Sequence, residues 1–182
     1  MKIIKWVLIV IAVLVVLLLA YLAYMGMVFP LKTYEAKMGP YTMAYESFTG
    51  PYSESGPVFD KVYKALETEG ISTTRGIGIY YDDPAKVPAD QLRSDCGVVI
   101  EAKDTAKFNR IRRKFRVKKI KQKDCLVIEF PIRNMFSYML GPMRAYPELM
   151  KQVKEKGYKW GMSYELYDEP QKKIFFVMEI GR

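Results

Sequence analysis

Trp6 to Phe29 is a run of twenty-four residues without a charge, and it limits this part of the chain to one conformation. As a helix it would reach about 36 Å, enough to cross a hydrocarbon core of about 30 Å with some tilt. In lipid every backbone polar group must bond within its own segment, so helix is expected throughout. Lys2 and Lys5 resemble the basic start of a leader peptide, but the apolar run is longer than a leader needs. The stretch Leu19-Ala20-Tyr21-Leu22-Ala23-Tyr24 also puts tyrosines where a cleavage site wants small residues. The expectation is an uncleaved single-pass anchor over residues 1–29, touching membrane lipid through 6–29. Trp6, Tyr21, Tyr24 and Phe29 suit its interfacial ends. Lys2 and Lys5 on one side face Lys32 and Lys37 on the other, so charge separates the two sides only slightly and leaves the side of the soluble domain open.

After a linker at 30–38, residues 39–182 are long enough for one domain with its own core. The chain has no histidine, which removes Ser-His-Asp and Cys-His nucleophiles and every histidine-bearing metal site. Its two cysteines, Cys96 and Cys125, each open an apolar run and read as buried strand residues. No metal and no cofactor are expected. Net charge is +9, concentrated in 103–123, where eleven Lys/Arg stand against Asp104 alone. Beside an anchor, such a segment suits anionic lipid headgroups. A solvated crossover is the plainer reading, and nucleic acid is disfavoured because no binding motif accompanies the charge.

The domain repeats itself at an offset of 87. Phe59 then aligns with Tyr146, Leu66 with Val153, Gly70 with Gly157, Ile79 with Leu166 and Tyr80 with Tyr167. Each copy, about 39–102 and 115–181, reads as strand, helix, strand, strand. In the first, a strand at 41–48 ends at Thr49-Gly50-Pro51. A helix at 56–68 carries Val58, Phe59, Val62, Tyr63 and Leu66 on one stripe. Strands at 74–81 and 96–102 flank a loop barred from pairing by Pro84 and Pro88. Asp104 is expected to cap a short helix at 105–114. In the second copy a strand at 125–130 precedes a helical region after Asn134, expected to kink at Gly141-Pro142 and resume near Met143. Strands at 159–167 and 173–180 close the unit. The class is α+β.

Side chains alternate across a strand. On 159–167, Trp160, Met162, Tyr164 and Leu166 share one face and are expected to pack beneath the helices. Gly161, Ser163, Glu165 and Tyr167 share the other, matched in the first copy by Gly76, Gly78 and Tyr80. Small residues, tyrosines and one carboxylate match the make-up of a small-molecule cleft, and the carboxylate with aromatic walls would favour cationic ligands; from pattern alone the plainer reading of Glu165 is an ordinary solvent-facing strand glutamate. Gly76-Ile77-Gly78 lacks the third glycine and the helix of a dinucleotide site. Asp82-Asp83 and Asp168-Glu169 precede prolines and read as turn chemistry.

Three stretches carry a family resemblance: Met43-Ala44-Tyr45 with Gly50-Pro51-Tyr52; Gly78-Ile79-Tyr80-Tyr81-Asp82-Asp83-Pro84 with Val87-Pro88 and Leu92-Arg93; and Tyr164-Glu165-Leu166-Tyr167. Together they resemble the GyrI-like small-molecule-binding domain, and the anchor with Tyr81-Asp82-Asp83-Pro84, Val87-Pro88 and Ala145-Tyr146-Pro147-Glu148-Leu149 is similar to a membrane-anchored subgroup of that family. The resemblance implies two pseudo-symmetric strand–helix–strand–strand units with a ligand cleft between them. It implies that Glu165, the position that contacts lipophilic cations in multidrug-responsive members, is the polar anchor. Tyr167, Tyr80, Tyr45, Phe59 and Tyr146 are the expected aromatic walls. Some members are hydrolases of strained cyclopropanoid compounds, which would make Glu165 a general base. No DNA-binding domain precedes the anchor and the chain stops at Arg182, so transcription activation and the roles of a long disordered tail are not expected to carry over. The expected function is a membrane-anchored module binding an unidentified small molecule. The alternatives are a hydrolase in the same cleft and a lipid-surface protein working through 103–123.

Overall fold

The computed structural model describes residues 2–28, 30–101, 104 and 107–181, with the backbone alone of Lys2 and Phe108. Helix α1 (Lys2–Tyr24) is the apolar run, a single N-terminal helix long and apolar enough to anchor the protein to a membrane. Phe29 lies outside the described residues.

Strands β1 (Thr33–Met38), β2 (Tyr41–Thr49), β3 (Arg75–Tyr80), β4 (Arg93–Val99), β5 (Arg116–Ile120), β6 (Lys123–Pro131), β7 (Lys159–Asp168) and β8 (Lys173–Gly181) form one antiparallel sheet. Their order is β1-β6-β8-β7-β3-β4-β2-β5. In a flat sheet β1 and β2 would lie about 29 Å apart. Only Gly39 and Pro40 join them, and such a link spans about 10 Å. The sheet therefore curls until its two ends meet. Its inner face is a core drawn from every strand, including Met38, Met43, Ile77, Val99, Ile120, Val127, Tyr164 and Val177.

Helices α2 (Gly56–Thr68) and α4 (Ser137–Lys156) cover the outer face, each over its own apolar cluster. Val62 and Leu66 of α2 pack on Ala44 and Val98, with Ile111 of α3 (Phe108–Lys114) alongside. Ala145, Leu149 and Val153 of α4 pack on Ile128, Phe176 and Met178. Ser137, Gly141, Ala145, Leu149 and Val153 are all buried, and that four-residue spacing lays one stripe against the sheet. Gly157 closes α4 in the left-handed region at φ +67°, the usual helix stop.

Several expectations are corrected. Residues 33–38, read as linker, form β1 by pairing along β6; the segment is short and half exposed, so its pattern did not mark a strand. Helix α4 does not break at Gly141-Pro142; Pro142 and Pro147 both lie inside it. The buried stripe holds the helix together although each proline removes a backbone bond. Lys107, not Asp104, precedes α3; Asp104 is buried and pairs with Lys107. Ala102, Lys103, Thr105 and Ala106 lie outside the described residues.

The largest correction concerns the two faces of β7. Tyr164 and Leu166 belong to the inner core of the curl, whereas Tyr167 packs toward α4 on the outer face. The helices therefore cover the face that carries Glu165. Trp160 is 56% exposed, beyond an irregularity between Trp160 and Ser163 that shifts the alternation. An amphipathic strand pattern marks two faces; it does not say which one meets a helix when both are buried.

Candidate functional site

Strands β3 and β7 run side by side between the two outer clusters, and their register sets Gly78 directly opposite Glu165. Without a side chain, Gly78 leaves room over the sheet. A Cβ there would sit 3.0 Å from Phe59 Cζ and 2.9 Å from Tyr80 Oη. The ring of Tyr167 lies over Gly76 in the same way, 3.2 Å from where a Cβ would stand. The Gly-Ile-Gly pattern of β3 thus hosts three aromatic rings.

Glu165 is 4% exposed. Tyr146 donates to its Oε1 at 3.1 Å and Tyr167 to its Oε2 at 2.7 Å. Tyr80 and Tyr167 share a hydroxyl hydrogen bond of 2.9 Å. Since the Tyr167 proton is directed to Glu165, Tyr80 is the donor in that pair, and a short chain of hydroxyls ends on the carboxylate. Phe59 meets Tyr167 edge-on at 5.5 Å between centroids. Burial pushes the Glu165 carboxyl up to about 7, and the two tyrosine hydrogen bonds pull it only part of the way back. The hydroxyls of Tyr80, Tyr146 and Tyr167 are raised well above the phenol range, first by burial and then by the nearby carboxylate.

Five of the six expected site residues thus come together: Glu165 and Tyr167 from β7, Tyr80 from β3, Phe59 from α2 and Tyr146 from α4. Tyr45 does not. It packs with the inner core, and Lys118 Nζ lies 4.8 Å from its ring centroid. Parity explains the error, since Tyr45 alternates with the buried, outward Ala44. The aromatic side chains fill the hollow themselves, so the site is a closed cluster. Two contributors were missed. Tyr52 packs edge-on to Tyr80 at 4.8 Å, and its position just after Gly50-Pro51 was the available signal. Tyr138 lies tilted against Tyr167 at 5.7 Å, concealed by the break expected at Gly141-Pro142. On the Glu165 side of β7, Ser163 also buries a hydroxyl that lacks a hydrogen-bond partner.

The other candidates fall into structural roles. Asp82 binds Arg93, and Asp83 accepts from the Ala85 N–H, both within a loop. Asp168 accepts from the Gln171 N–H in the β7–β8 turn. Cys96 and Cys125 are free and buried, and burial raises both thiols to about 11. Among the described residues no group of three His, Cys, Asp or Glu could hold a metal. In the basic segment Lys107, Lys114, Lys118 and Lys123 pair with Asp104, Glu69, Asp95 and Glu179. Those four cations mainly brace the domain's own acids.

Comparison with known proteins identifies the domain. The family model of the GyrI-like small molecule binding domain matches residues 34–174. Human testis-expressed protein 264 is 28% identical over 150 residues, which cover 78% of this chain and 45% of that protein. The chain thus spans less than half the length of that relative. The C-terminal domain of EcmrR shares the fold at a TM-score of 0.60 and 12% identity, over 85% of this chain and 99% of that one. SAV2435, solved bound to tetraphenylphosphonium, shares it at 0.52 and 9% identity, over 82% of this chain and 94% of that one.

Proposed function

From the premise that the chain belongs to the GyrI-like small-molecule-binding domain family, we propose that this membrane-associated module captures lipophilic cations over β3 and β7, with Glu165 as the counter-charge. The observation that carries the reading is the buried Glu165 carboxyl under aromatic rings, held near a pKa of about 7. A carboxylate removed from water is costly unless it is paired. Near neutrality a cation entering the cluster would replace its proton, and the rings would add cation–π attraction. Phe59 and Tyr146 close the cluster from the helices, so side-chain rotation on α2 and α4 would open it without disturbing the sheet. Rotamer changes of this kind commonly accompany binding. The unpartnered Ser163 hydroxyl offers a polar contact nearby. The relative SAV2435 was solved with a lipophilic cation of this class.

We read the cluster as the junction of two copies of one unit. Under the offset of 87, Glu165 is the counterpart of Gly78, and the register sets these two residues opposite each other. A local two-fold axis would run between them. The strand order is also palindromic about β7-β3, pairing β6 with β2, β8 with β4 and β1 with β5.

Hydrolysis of a strained electrophile by the same carboxylate is the second reading, and a pKa of about 7 suits a general base. Against it, the carboxylate is buried and each of its oxygens already accepts a tyrosine hydrogen bond. Titration of tetraphenylphosphonium into the detergent-solubilised full chain at pH 8, followed by calorimetry, tests the binding reading. We expect micromolar affinity and a loss of about tenfold or more in Glu165→Gln, a step of roughly 1.4 kcal/mol. Equal affinities for the two proteins would remove the carboxylate from the site.

A further inference from the structure

We propose that the outer face of the first half of α4 rests in the membrane interface beside the end of α1. A helix on the surface of a soluble domain carries polar residues on its outward side. The second half of α4 does, with Lys151, Lys154 and Glu155. The first half does not. From Met135 to Met143 there is no charged side chain. Met135 is 78% exposed and Met143 65%, and Phe136 and Met139 are also exposed. Met139 lies two residues from both Ser137 and Gly141, which puts it across the helix from the buried stripe. A grouped apolar patch of this kind marks an interaction surface.

The contacts of α1 identify the occupant. Asn134 Nδ2 lies 3.4 Å from Tyr21 Oη and 3.4 Å from Met25 Sδ. The Arg133 guanidinium stands 5.1 Å from the Tyr24 ring centroid, and Arg144 donates to the Gly26 carbonyl. Tyr21 and Tyr24 belong to the last turn of the anchor, where aromatic residues mark the level of the headgroups. Met135 and Phe136 directly follow the residue that touches Tyr21, so the patch begins at that depth and continues the domain's contact with the anchor. Arg133 and Arg144 bracket it in sequence and hold it against the end of the anchor. Met side chains adapt to a fluid surface. Helix α4 also supplies Tyr138 and Tyr146, so docking would bring that wall of the aromatic cluster within about 10 Å of the bilayer.

The test uses the full chain in phosphatidylcholine vesicles, spin-labelled at Met139→Cys, Met143→Cys or Lys154→Cys in separate samples. The native cysteines are buried and stay unlabelled. Collision with lipid-soluble oxygen is compared with collision with an aqueous nickel chelate. The oxygen-to-nickel ratio at 139 and 143 is expected to exceed that at 154 by about threefold or more. Equal ratios at all three positions would overturn the proposal. A label at 139 or 143 shielded from both reagents would indicate a protein contact and overturn it as well. These readouts use no ligand, so they stand or fall apart from the reading of Glu165.

Discussion

Strands β3 and β7 lie side by side under the same aromatic roof, yet they contribute opposite things. At matched positions β3 has Gly78 and β7 has Glu165; one supplies space and the other supplies charge. Two residues away from each, Tyr80 and Tyr167 are the same residue type and bond to each other. The shared parts make the hollow, and the single unlike position gives it chemistry. A second carboxylate would defeat the arrangement, since two buried acids in contact cannot both ionise cheaply. Gly78→Glu tests this most severely. It adds a like charge opposite Glu165 and a side chain where Phe59 and Tyr80 already crowd. We expect a loss of more than about 4 kcal/mol, among the largest that single substitutions give. Urea denaturation would show it as a midpoint moved far down, or as no folded baseline.

The next effect removes the asymmetry from the other side. The Glu165 carboxyl is raised from 4.5 to about 7, chiefly by burial. Between those values the native state binds more protons than the unfolded chain, so this group's contribution to stability falls as pH rises through the window. Below pH 4 both states are protonated and the contribution is level. Glu165→Gln lacks this titration. The variant should gain on the wild type as pH rises, by on the order of 3 kcal/mol between low pH and pH 8, and the difference should level off below pH 4. Thermal melts across that range check it. A difference independent of pH would mean that Glu165 titrates alike in the folded and unfolded chain, so that burial does not raise its pKa.

These contrasts were partly legible in the sequence. The offset of 87 put Gly78 against Glu165 before any coordinates, and the stripe on α2 gave its bounds. What the pattern could not carry was which face of the sheet meets the helices. Ile77, Ile79, Tyr164 and Leu166 are apolar because the sheet curls upon itself, and the curl follows from the short link between β1 and β2. Strand β1 itself was missed for the same reason: its partner, β6, is some ninety residues away, and nothing local in Thr33–Met38 announces it. Helix α4 was read as kinked and resuming near Met143 because Gly141-Pro142 is a strong local signal, while the buried stripe that carries the helix through it is a tertiary fact.

A smaller perturbation keeps the charge and trims its support. Tyr146 donates one of the two hydrogen bonds that favour the ionised carboxylate. In Tyr146→Phe that support is lost, and the Glu165 pKa should rise further, by about a unit or less. The carboxyl carbon chemical shift followed against pH would measure it. A fall in pKa would mean that Tyr146 bonds to the protonated form.

The smallest expected effect probes the boundary of the comparison. Tyr45 is an aromatic of the kind that lines the cluster and lies on β2, separated from β3 by β4. Its ring nevertheless turns to the inner core and to Lys118. Tyr45→Leu should therefore cost about 1 kcal/mol of stability through the lost ring contact, while tetraphenylphosphonium affinity stays within about twofold of the wild type. A loss of affinity as large as that of Glu165→Gln would mean that the ligand reaches the inner face of the curl, and the division between a face that binds and a face that only packs would fail.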